Sequence, residues 1–147
     1  MSQYLSFKLI NKANPEVKVD LGYWCTSIAR SISYNFNGIF RYTESDIKLS
    51  IETLKSYIED LHNGIEEYRK NLLESQEKKK EFVELLLKAQ TEAAVNAIKE
   101  DIDCNEDCIA DWKEEIEDWV MVEDKLNFIL NVLDDNNDNW ELVYKNS

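Results

Sequence analysis

The 147-residue chain contains only three glycines, one proline and one histidine. So little glycine excludes Gly-rich phosphate cradles and collagen-like repeats, and the shortage of both turn formers argues against a loop-rich sandwich. A lone His62 removes paired-histidine metal sites and leaves any Ser-His or Cys-His machinery dependent on one residue. No window of about 20 residues is free of charge, so no membrane span is expected. The opening stretch Met1-Ser2-Gln3-Tyr4-Leu5-Ser6-Phe7-Lys8 lacks a basic region followed by an apolar one, so a secretory signal is not expected. Three cysteines, Cys25, Cys104 and Cys108, make an odd count that fits reduced thiols and a cytoplasmic location. Cys104 and Cys108 share one face of a helix, but no second Cys or His pair completes four metal ligands, so two small semi-buried side chains are expected.

What the chain has in quantity is charge and apolar periodicity. Apolar residues make up 44% and charged residues 32%, with 17 basic and 30 acidic side chains for a net charge of −13. That apolar content exceeds what a disordered chain carries, and the length suits one domain with one core. Leu5, Phe7 and Leu9 alternate with Ser6 and Lys8, which predicts a strand over 3–10 with one buried face. Asn11-Lys12-Ala13-Asn14-Pro15-Glu16 is a turn by composition, and Val17, Val19 and Leu21 then predict a second strand. From Thr26 or Ser27, a short helix carrying Ile28, Ala29, Ile32 and Phe36 is expected to stop at Asn37-Gly38. The same residues also suit a strand ending in an Asn-Gly turn.

The strongest pattern follows. Thr43-Glu44-Ser45-Asp46 resembles a capping box, and a heptad runs behind it from Ile47 to Ala89, with 11 of its 13 a and d positions apolar. A second heptad runs from Val95 to Leu133 with ten of twelve positions apolar. Folding the chain back near Thr91 sets residue i opposite roughly residue 182 − i. The polar interruption at Ser75 and Lys79 then meets Asn105 and Asp103, and Lys78-Lys79-Lys80 meets Asp101, Asp103, Glu106 and Asp107. A competing reading breaks the first helix at Gln76–Lys80 and yields three shorter helices. Residues 119–133 are apolar nearly all round and are expected to be covered on more than one side. Trp140-Glu141-Leu142-Val143-Tyr144, after the polar run 134–139, predicts a last strand beside the first. The expected fold class is α+β: a three-stranded antiparallel sheet with a short helix, carrying a long antiparallel two-helix coiled-coil hairpin. It would form one domain, with a head from 1–42 plus 139–147 and a hairpin over 43–138.

Catalytic and metal chemistry find little support. Calcium loops beginning at Asp101 or Asp134 would carry Glu106 or Asn139 where glycine is needed, and Trp112 or Lys145 where a bidentate Glu is needed. His62 has Glu59, Asp60 and Glu66 within a turn, but no Ser or Cys is placed nearby as a nucleophile. Three arginines and no basic–aromatic patch argue against direct nucleic-acid binding. No cofactor motif is present, and a non-enzymatic protein is expected.

The charge map is the most informative feature. Residues 92–138 hold 16 acidic and three basic side chains, while the remainder holds 14 of each sign. Asp103, Asp107, Asp111, Glu115 and Asp118, spaced by three or four, form a ridge away from the seam, with Glu100 and Glu114 beside it. Solubility alone accounts for such a face. Its functional reading is a docking surface for a protein partner with a basic surface. An alternative is a phage- or mobile-element-type inhibitor that mimics nucleic acid and blocks a basic binding site. Thirteen net charges over about 70 Å is sparser than even one nucleic-acid strand, with its charge every ~3.4 Å, which weighs against mimicry. A second candidate surface is the hairpin tip, where Val83, Leu85 and Leu87 lie outside the seam and would serve self-association or partner contact.

Overall fold

A computed structural model describes residues 4–24, 28, 31–32, 36 and 39–147. Four strands form one antiparallel sheet in the order β2-β1-β4-β3: β1 Leu5–Asn11, β2 Lys18–Trp24, β3 Ile47–Leu49 and β4 Trp140–Asn146. Two long helices, α1 Ile51–Lys88 and α2 Glu92–Asn136, complete the hairpin. As the alternation implied, Leu5, Phe7 and Leu9 are buried while Ser6 and Lys8 are not. The Asn11 side chain folds the β1–β2 turn by accepting the Ala13 and Asn14 N–H groups at 2.9 and 3.0 Å. β4 pairs with β1 from Leu5↔Asn146 to Asn11↔Trp140, and Tyr4 and Ser147 exchange both backbone hydrogen bonds beyond it.

The sheet has four strands, not the expected three. Ile47 and Leu49, which the heptad would place in the helix or its cap, pair with Tyr144 and Leu142 of β4 instead. The physical reason lies in two hydroxyls. Thr43, the expected cap, is bound to β4: its N–H donates to Asn146 O at 2.8 Å, and its Oγ1 accepts the Asn146 N–H at 3.1 Å. Ser50 does the capping, accepting the Thr53 N–H on its Oγ at 3.1 Å, while its carbonyl takes the Leu54 N–H at 2.9 Å. The expected short helix from Thr26 or Ser27 to Asn37-Gly38 lies largely outside the described residues, as does Cys25. Of its described residues, Ile28, Ser31 and Ile32 are helical, and Ile32 and Phe36 are buried.

The chain divides into two compact units, Met1–Gly64 with Trp119–Ser147, and Ile65–Asp118. The first is built around Phe40, whose ring meets Phe7, Tyr57 and Tyr144 edge-on at 5.3, 4.9 and 5.4 Å. Phe40 sits at φ 51°, a left-handed conformation that costs a non-glycine residue roughly 1–2 kcal/mol. Its carbonyl takes a 2.5 Å hydrogen bond from Nδ2 of the buried Asn146, so β4 holds the strained residue in place. Trp119, Val122, Leu126, Ile129 and Leu133 recur every three or four residues along α2 and are buried as one stripe. Within 119–133, which is expected to be covered on more than one side, Met121 and Phe128 stay more than half exposed.

Gly64 in α1 has a specific reason to lack a side chain. A Cβ there would overlap the ring of Phe36, which in turn packs edge-on to Trp119 at 4.7 Å. Gly22 in β2 has φ 109° where the β1–β2 register shifts between Phe7 and Lys8, leaving Leu21 as the extra residue of a bulge.

In the second unit α1 runs unbroken through Gln76–Lys80, so the three-helix alternative does not hold. The chain reverses at 89–91, and Thr91 caps α2 by accepting the Ala94 N–H on Oγ1 at 3.1 Å. Asn105 Nδ2 donates to Ser75 O at 3.1 Å, and Lys79 pairs with Glu106 at 3.2 Å. The two polar interruptions therefore meet at the level that the mirrored sequence pattern implied. Asn105 Oδ1 is buried and has no hydrogen-bond partner among the described residues. A half-satisfied amide in an apolar seam costs stability and makes other alignments of the two helices still less favourable.

Candidate functional site

The acidic face belongs to the second unit, and it follows from helical spacing. Ile109 and Ile116 point into the seam and are buried, so residues at intermediate angles must face solvent. Glu100, Asp103, Asp107, Asp111, Glu114 and Glu115 are all exposed, and Asp118 is partly covered. Residues 92–118 carry 11 acidic and two basic side chains. Among the described residues none of these seven carboxylates enters an ion pair; the four Lys or Arg pairs use Glu66, Glu77, Glu106 and Glu141, and His62 lies against Glu123. The face is a run of negative charge with no Lys or Arg paired to these seven carboxylates among the described residues.

Local electrostatics register this. The Glu115 carboxyl is held above its usual range, first by partial burial and then by the charges of Asp111, Asp118 and Glu114. The Tyr68 phenol is raised too, by burial first and then by Glu115 and Glu67. Tyr68 of α1 and Trp112 of α2 lie with ring centroids 4.7 Å apart and planes tilted by 50°. With Cys108, Asp111 and Glu115 they line a hollow of about 300 Å³. The heptads put Tyr68 at a seam position three repeats after Ile47 and Trp112 at one three repeats before Leu133, without pairing the two. The mirror relation, which sets residue 68 opposite about 114, held the signal.

The tip residues Val83, Leu85 and Leu87 are exposed, Leu87 by 82%, and Leu73 on the same helix is exposed as well. Both Cys104 and Cys108 are free thiols at the surface, against the expectation of semi-buried side chains. His62 is exposed and meets a carboxylate that local spacing did not suggest: its Nδ1 lies 3.0 Å from Glu123 Oε2 on α2, not against Glu59, Asp60 or Glu66.

In the first unit, a groove of about 470 Å³ lies between β2 and α2, where Tyr23, Met121 and Phe128 are exposed and Lys125 sits 5.3 Å from the centre of the Phe128 ring. Among the described residues no group of three or more His, Cys, Asp or Glu is gathered tightly enough to hold a metal ion. No described helix is long and apolar enough to cross a membrane. Compared with known protein families, curated proteins and solved structures, the chain matches none.

Proposed function

We propose that the protein is a non-enzymatic interaction module that docks a protein partner bearing a basic surface on the outward face of α2. The observation that carries this reading is the absence of ion pairs, among the described residues, at Glu100, Asp103, Asp107, Asp111, Glu114, Glu115 and Asp118. A face selected for solubility alone is served as well by mixed charge, whereas an unneutralised run attracts and orients a cationic surface. Nucleic-acid mimicry is the less favoured reading. Nine net charges over the roughly 40 Å of residues 92–118 is one per ~4.5 Å, against one per ~1.7 Å of duplex axis.

The test is affinity capture from the native host's extract, using the chain and a variant with those seven carboxylates changed to Asn or Gln. A partner retained at about 0.05 M salt should be lost near 1 M, and lost with the variant at both. Capture of the same proteins by both chains at both salt levels would remove the basis of the proposal. Sedimentation of the unmixed chain in the same series reports whether the exposed tip at Val83, Leu85 and Leu87 joins a second copy.

A further inference from the structure

The acidic face is not uniform: at one point it opens onto aromatic surface. The hollow lined by Tyr68, Cys108, Asp111, Trp112 and Glu115 brings the Tyr68 ring of α1 against the Trp112 ring of α2, with Asp111 and Glu115 beside Trp112 about one turn apart. Aromatic faces and carboxylates attract the same ligand, a cation, by the ring quadrupole and by direct charge. Asp111 and Glu115 stand four residues apart on α2, so their side chains are neighbours, and neither is ion-paired among the described residues.

Resting on the docking reading above, we propose that this hollow receives an arginine side chain of the partner, its guanidinium against Tyr68 and Trp112 and its N–H fork toward Asp111 and Glu115. Arginine fits better than lysine for two reasons. Its planar, weakly hydrated group stacks on a ring while its edge still donates hydrogen bonds, whereas an ammonium group is compact and holds its water. Aromatic anchors paired with arginine are also where interface energy concentrates, so the hollow would be the centre of the contact and the rest of the ridge its steering rim. The Glu115 carboxyl, raised first by partial burial and then by Asp111, Asp118 and Glu114, agrees with this in its second cause, because an incoming cation would relieve that crowding of negative charge.

The experiment uses the intact chain and nuclear magnetic resonance of its indole N–H signals, titrated with acetyl-Gly-Arg-Gly-amide and with the citrulline and lysine counterparts. The Trp119 indole, already bonded to Ser31 Oγ at 2.9 Å, serves as an internal reference. The arginine peptide should shift the Trp112 signal saturably and leave Trp119 still, and its own side-chain protons should move upfield from the ring currents. Citrulline, neutral but nearly isosteric, should do neither, and lysine should bind several-fold more weakly. An arginine-rich hexapeptide separates the two levels of the argument. If it fails to bind even at low salt, the docking reading falls and this inference with it. If it binds in a salt-dependent way but Trp112 does not shift, or if lysine matches arginine, the acidic face stands and the arginine hollow is wrong.

Discussion

The two units are made of the same helices yet stand on different physics. The first holds all but three of the buried apolar side chains described, and its net charge is −4, from nine basic and 13 acidic residues. The second buries Ile65, Ile109 and Ile116, and carries −9, from eight basic and 17 acidic residues. A two-layer unit can enclose side chains on several sides, whereas two helices side by side share only one seam. The first unit therefore draws its stability from a core with interlocking aromatics. The second has surface to spare and spends it on charge.

Phe40→Ala would test that contrast most severely. It removes the ring that meets Phe7, Tyr57 and Tyr144, and should cost about 3–5 kcal/mol in urea unfolding, against clearly less for Leu72→Ala in the part-exposed seam of the second unit. Equal losses at the two sites would break the comparison. Next comes Gly64→Ala. In an exposed helix this change stabilises by about 1 kcal/mol, but here it should destabilise by about 1–3 kcal/mol, because the new methyl must displace Phe36. Thermal unfolding reads the sign directly, and a gain would mean that the Phe36 ring does not lie on Gly64.

The smallest expected effect belongs to the acidic face. Folding raises the Glu115 carboxyl above its ordinary range, so the folded state binds this proton more tightly than the unfolded chain does. The contribution of Glu115 to stability is thus fully present below the ordinary carboxylate range and is lost as pH rises through the raised value. At neutral pH Glu115→Gln should stabilise by about 0.5 kcal/mol, by ending the partial burial of a charge and its repulsion with Asp111 and Asp118, and that gain should fade in acid. The same urea titration at two pH values measures it.

The periodicities were legible because each reports a local rule. Alternation at Leu5, Phe7 and Leu9 gave β1, the apolar run at 140–144 gave β4, and the mirrored interruptions at Ser75 and Asn105 gave the alignment of the helices. Two features were not legible for one shared reason. Ile47 satisfies a heptad as well as a strand, and only β4, almost a hundred residues away, decides between them. The mirror relation brings the seam residues Tyr68 and Trp112 to about the same level, but only the packed hairpin shows their rings meeting to border a hollow beside Asp111 and Glu115.

By itself, then, the amino-acid order determined which residues turn inward, where the chain doubles back and which side of α2 bears the negative charge, since these follow from spacing along one helix or strand. The tertiary structure alone decided that Thr43 clasps Asn146 while Ser50 starts the helix, that Phe36 requires a bare Gly64, and that two distant rings come to border the carboxylates. Those outcomes depend on competing partners far apart in the chain, and such competition is resolved only when the whole core packs.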